Sequence, residues 1–235
     1  MNPRRSFLSH LGVAATALGF WSAKASSSAK ASGSAKALAE RQEPGSAKAS
    51  TERRTDAWQP ARDAKDDWFD QIPGKHRLFF DTVSPQGVRD VQAFAGNYFN
   101  GHKTGYGLES TDLAVVICLR HQATQFAFTD AIWAKYGGAI GESEKFTDPK
   151  TGQPPVVNVY KTALETQVKR GVHFAVCDMS THRLAAFIAR KLDGNADAIY
   201  RELVANAIAN AHFVAAGIIA VNRAQERGYS IAYTG

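Results

Sequence analysis

Leu113 to Leu119 (Leu-Ala-Val-Val-Ile-Cys-Leu) is seven apolar residues in a row. A run of that length, with no alternation, reads as a strand buried on both faces, as central strands of parallel sheets are. A sheet covered on both faces needs helices, and the flanking sequence supplies them. Arg77 to Asp81 is a short apolar strand candidate. Ser84-Pro85 follows as a helix N-cap with proline at the first helical position. Val88, Val91, Phe94, Ala95, Tyr98 and Phe99 then recur at helical spacing, and Gly101 and Gly105 are expected to close that helix. Phe126 to Tyr136 reads as a helix ending at Gly137-Gly138. Gly138 to about Val157 reads as a long irregular segment. Connections of more than about 15 residues are uncommon in compact domains and often serve as lids or are disordered.

Tyr160 to Arg170 is a polar amphipathic helix, and Val172 to Cys177 a third strand. Thr181 to Leu192 is a helix with Ser180 as its N-cap and Gly194 as its stop. Asp197 to Ala209 is a helix, Ala211 to Val214 a fourth strand, Gly217 to Arg227 a helix and Tyr229 to Tyr233 a final strand. Strands separated by helical segments predict a parallel α/β sheet with right-handed crossovers.

The first 62 residues read differently. Arg4-Arg5-Ser6-Phe7-Leu8 precedes an 11-residue mildly apolar stretch, Leu11 to Trp21, and Ala23-Lys24-Ala25 offers small residues at cleavage-site spacing. This resembles a twin-arginine export signal, with Pro3 and Ser9 departing from the usual pattern. Residues 1–25 are therefore expected to be a signal peptide, and the location periplasmic or otherwise exported. Ser-Ala-Lys-Ala recurs at Ser22, Ser28, Ser34 and Ser46. Such sequence buries too little surface to offset chain entropy, so residues 26–62 read as a flexible tether. Residues 63–235 form the expected domain, with Trp68, Phe69 and Ile72 docking ahead of the Pro73-Gly74 turn.

The whole chain carries a net charge of +6, but the part from His76 onward carries only +2. A phosphate-backbone binder would concentrate cations on the domain, so no nucleic-acid partner is expected. No apolar run approaches the roughly 20 residues of a membrane span, so the membrane enters only through export. Two cysteines exclude a disulfide scaffold and a Cys-only zinc site, and no spacing matches a metal motif. No phosphate loop and no nucleophile elbow is present, and no cofactor or metal is expected.

In open parallel sheets, ligands bind beyond the carboxyl ends of the strands. Asp81, Thr82 and Ser84 sit there after the first strand. Arg120, His121 and Gln122 follow the second, Cys177 and Asp178 the third, and Ala216 and Gly217 the fourth. A thiol, an imidazole, a guanidinium and carboxylates thus converge on one edge. A thiol at a helix N-terminus meets the positive end of the macrodipole, which favours the thiolate. Cys177 fits that description, with Arg120 or His121 beside it; the alternative is a small buried hydrophobe. Cys118, inside the apolar run, reads as buried hydrophobe. His121 reads as acid/base, ligand anchor or ordinary loop histidine. His173, at a strand start, lies at the opposite edge; His182 is open to either direction.

Phe174-Ala175-Val176-Cys177 with a following helix and Arg183, together with Ala216-Gly217-Ile218 and Gln225-Glu226-Arg227-Gly228-Tyr229, resembles the DsrE/DsrF-like family over about His76 to Tyr233. The resemblance implies a single-domain, three-layer α/β/α fold with a parallel five-stranded sheet, and a trimer or hexamer. It also implies a sulfur carrier or sulfurtransferase-like activity, with Cys177 holding sulfur as a persulfide. The partners would be small sulfur species or a thiol-bearing protein. Where several relatives carry a second cysteine, this chain has Ser180, so no internal disulfide relay is implied there. Gly141 to Gln153 has no counterpart in the family. The alternative function is a non-catalytic oligomeric module holding a small ligand or metal in the strand-end pocket.

Overall fold

A computed structural model of the chain describes residues 59–235. The signal-like segment 1–25, most of the tether 26–62, and Trp58 lie outside the described residues.

Five strands form one all-parallel sheet: β1 (His76–Thr82), β2 (Leu113–Leu119), β3 (His173–Cys177), β4 (Ala211–Val214) and β5 (Ser230–Thr234). Their order is β4-β3-β2-β1-β5. The apolar run is β2, central and buried at all seven positions. Alternation along the strands divides the core. Leu113, Val115, Ile117 and Leu119 face one side, and Ala114, Val116 and Cys118 face the other. The first side carries α2 (Pro85–Tyr106), α3 (Asp130–Glu144), α4 (Lys161–Lys169), α5 (Asp178–Leu192) and α6 (Ala196–Ala205). The second carries the short lead-in α1 (Trp68–Gln71) and α7 (Gly217–Gln225). This is a three-layer α/β/α fold.

The order of strands and layers places the crevice. The chain leaves β3 for α5 on one face and leaves the adjacent β4 for α7 on the other. Two neighbouring strand ends that send their helices to opposite sides leave a gap between them, and there open α/β sheets bind ligands.

Several helix boundaries depart from the sequence expectations. Gly101 and Gly105 do not close α2, which runs on to Tyr106 and is capped by Gly107 at φ 68°. Both glycines lie where an added Cβ would meet nothing, so the helix passes through them. Gly137-Gly138 does not end the next helix. Residues 121–127 form a 3-10 segment instead, and α3 extends from Asp130 to Glu144. Gly137 is needed inside α3 because the chain at Pro155 crosses it, and any Cβ would strike the Pro155 carbonyl oxygen. The irregular stretch is therefore shortened to the residues after Glu144. Asn158 fixes its far end, with Nδ2 donating to the Phe126 and Phe128 carbonyls at 2.9 and 3.0 Å. Ser180 is not an N-cap: α5 begins at Asp178, directly after Cys177, with no side-chain cap. The helix after it stops at Ala205 rather than Ala209, because residues 206–208 turn aside and Ala207 forms an antiparallel bridge with Phe128.

Of the lead-in residues, Phe69 and Ile72 are buried against the α7 side of the sheet. Trp68 lies over His212, with ring centroids 4.0 Å apart and planes within 4°.

Candidate functional site

A cavity of about 460 Å³ occupies the crevice between β3 and β4. The end of β2 contributes Arg120 and His121. The end of β3 and the first turns of α5 contribute Cys177, Met179, Ser180 and Arg183. The start of α7 contributes Ala216, Gly217 and Ile218. Arg120, His121 and Cys177, the three residues singled out from strand ends, therefore line one cavity.

Cys177 occupies the N-cap position of α5, and its own carbonyl accepts a hydrogen bond from Thr181 Oγ1 at 3.0 Å. The residue is 6% exposed and its sulfur is a free thiol with no hydrogen-bond partner among the described residues. α7, which opens on the other side of the cavity, also lacks a side-chain cap. The first N–H groups of a helix have no partner within it. Two sets of them thus begin at this crevice.

Arg120 plays a different part from the one expected beside the thiol. Nε and a terminal nitrogen donate to the two carboxylate oxygens of Asp81 at 2.6 and 2.9 Å. The register explains the pairing: Asp81 lies opposite Cys118, and Arg120 follows two residues later on the same face. The aliphatic stem of Arg120 fills the space where Gly217 would carry a Cβ. The ion pair is a floor strut on which α7 starts, and its positive charge is offset by Asp81.

His121 is exposed and adopts φ 55°, a left-handed conformation that costs a non-glycine residue roughly 1 kcal/mol or more. Hydrogen bonds on either side hold it there. Arg120 N donates to Thr82 O and Gln122 N to Val83 O, each at 3.1 Å. The residue is thereby held at the cavity, which it lines.

Arg183 is the cation that the strand-end reasoning did not single out. It lies in the second turn of α5, half exposed at the cavity. Its nearest acid is the buried Glu144 carboxylate at 3.6 Å, and among the described residues it makes no side-chain hydrogen bond. Met179, Ser180 and Ile218 were likewise missed as lining residues. Starting α5 at Asp178 brings 179, 180 and 183 to the mouth; a helix start at Thr181 hid this.

The neighbouring acids and thiol are accounted for. Asp178 accepts from Tyr200 Oη at 2.7 Å, and that bond, with burial, pushes the Tyr200 phenol up to about 12. His182 stacks on Tyr200, with centroids 3.8 Å apart, and is 3.6 Å from Asp178; neither Asp178 nor His182 lines the cavity. Cys118 is fully buried, with Sγ 3.9 Å from the Gly217 carbonyl oxygen. Burial first, then the Asp81 carboxylate, holds its thiol well above the usual range, so it stays protonated. His173 bonds His212 across β3 and β4 at 2.8 Å, at the strand starts, away from the cavity.

Among the described residues no cluster of three or more His, Cys, Asp or Glu side chains is placed to hold a metal ion. No described helix is long and apolar enough to cross a membrane. A second cavity of about 460 Å³ lies along α4, with Phe128, Leu164, Val168 and Ile208 in its walls. It offers neither thiol nor imidazole, whereas Cys177 and His121 both line the first cavity.

No protein-family model matches the chain, and no curated protein does. Among solved structures, it is similar to a protein of unknown function, MTH1491 from Methanobacterium thermoautotrophicum. The identity is 12% and the TM-score 0.36, over 68% of this chain and 99% of that one. At that score the likeness carries no argument about fold or function.

Proposed function

We propose that the chain is an exported DsrE-like sulfur carrier, sulfurtransferase-like in its chemistry, that works through Cys177. The observation that carries this reading is an unpartnered thiol at the floor of a crevice where two uncapped helices begin. The thiolate attacks a sulfane sulfur, a new S–S bond forms, and the donor's leaving group departs with the old bond's electron pair. Cys177 is left as a persulfide. The helix N-termini, with His121 lining the same cavity, stabilise the negative charge on sulfur. The resemblance of residues 174–177 and 216–229 to the DsrE/DsrF-like family points to the same chemistry. Sulfur then passes to a small sulfur species or to a thiol-bearing protein. The twin-arginine-like start supports export to the periplasm, and the resemblance supports a homo-oligomer.

Intact-mass analysis after polysulfide treatment tests this. The parent protein gains the mass of one sulfur and Cys177→Ser gains none. An equal gain in both would reject the assignment.

One observation favours a second reading, an oligomeric module that holds a small ligand or metal without chemistry. Met179 and Ile218, at the cavity mouth, are 68% and 61% exposed. Apolar side chains left in water at a rim are covered when copies associate. Under this reading Cys177→Ser retains function, and native mass spectrometry of the purified protein finds a retained ligand or metal.

A further inference from the structure

The charges around the crevice are one-sided. No carboxylate lines it, and of its two arginines Arg120 is matched by Asp81, which leaves Arg183 as the cation it offers beside the His121 imidazole. Asp178, the acid closest in sequence, is turned to Tyr200, and Asp81 is consumed by Arg120. Arg183 keeps its guanidinium donors free of protein hydrogen bonds, with only the longer 3.6 Å approach to Glu144. The uncapped starts of α5 and α7 add N–H groups from two directions. Cys177 is more than nine-tenths buried, unpartnered, and a lining residue of the same cavity. A small, strongly anionic molecule that must reach a recessed sulfur fits all four observations.

We propose that the sulfur donor is a small sulfur oxyanion of the thiosulfate class, with Arg183 binding its sulfonate end while Cys177 receives its sulfane sulfur. The proposal rests on the sulfur-carrier reading and names its substrate. A thiolate and a thiosulfate dianion repel each other, so their reaction needs a fixed cation between them. The planar guanidinium fork suits two oxygens of a sulfonate. The step balances without an oxidant or reductant. The Cys177 thiolate forms a bond to the sulfane sulfur, the sulfur–sulfonate bond breaks, and sulfite leaves with its electron pair. One negative charge on the thiolate and two on thiosulfate become one on the persulfide and two on sulfite.

The full chain is treated in parallel with thiosulfate and with polysulfide, and the mass gain and released sulfite are followed. The parent gains one sulfur from thiosulfate and releases an equal amount of sulfite. Arg183→Gln slows that uptake roughly tenfold or more, the loss expected for a charge-assisted hydrogen bond, and Arg183→Lys falls between. Both variants keep the alkylation of Cys177 by iodoacetamide, an uncharged reagent, which shows that the fold and the thiol are intact. Uptake from polysulfide but none from thiosulfate overturns the oxyanion donor and leaves the carrier reading standing. Uptake from thiosulfate at parental rate in Arg183→Gln overturns the role of Arg183. No uptake from either donor removes the carrier reading and this proposal with it.

Discussion

The two cysteines show how one residue type meets different surroundings on adjacent strands. Cys118 sits inside the central strand and is sealed; Cys177 ends the next strand and opens on a cavity. That contrast was legible in the sequence, because a residue within an apolar run and a residue at its end differ in what can cover them. The fate of Arg120 was not. It depends on register, which sets Asp81 against Cys118 and so brings the carboxylate to the guanidinium. Asp81→Asn leaves the largely buried Arg120 without its counter-charge. Removing one partner of a buried pair costs about 3 to 5 kcal/mol. With Arg120 still a quarter exposed, the expected loss is nearer about 2 to 3 kcal/mol. Urea unfolding of the variant against the parent measures it.

At the scale of elements, the strands were easier to read than the helix ends. All five strands lie where apolar runs predicted, within one or two residues. The helices passed through glycines expected to stop them, because a glycine's meaning depends on what crosses it. Gly101 faces open space inside α2, so Gly101→Ala adds helix propensity without a clash and stabilises by about 0.5 to 1 kcal/mol. Gly137 lies under Pro155, so Gly137→Ala in α3 destabilises by at least about 1 to 3 kcal/mol. A sequence-local rule gives both substitutions the same sign, and thermal melts of the pair separate the two accounts. Gly217 at the start of α7 belongs with Gly137. A Cβ there meets the stem of Arg120, so Gly217→Ala displaces the strut and the cavity wall together. Lower stability accompanied by slower sulfur uptake is the expected result.

The described domain has a cavity at its strand ends and a histidine pair at its strand starts. At the strand starts, His173 and His212 share a hydrogen bond under the Trp68 ring. Burial, helped by His173, lowers His212 to about 4, and burial lowers His173 as well. The fold therefore favours both rings neutral, while in the unfolded chain they protonate near the ordinary value of about 6.5. The unfolded state takes up protons first as pH falls. The pair's contribution is complete above about pH 6.5 and is lost progressively toward pH 4. Unfolding midpoints of the parent should drop between pH 7 and pH 4.5 by more than those of His212→Gln. Parallel pH profiles for the two proteins would remove the pair from the account.

The central claim is that Cys177 is the thiol open to chemistry. Peptide mapping after brief treatment of the folded protein with iodoacetamide tests it most directly. Modification at Cys177, and none at Cys118 until denaturant is added, is the expected result. Cys177 that stays unmodified as long as Cys118 does would contradict it.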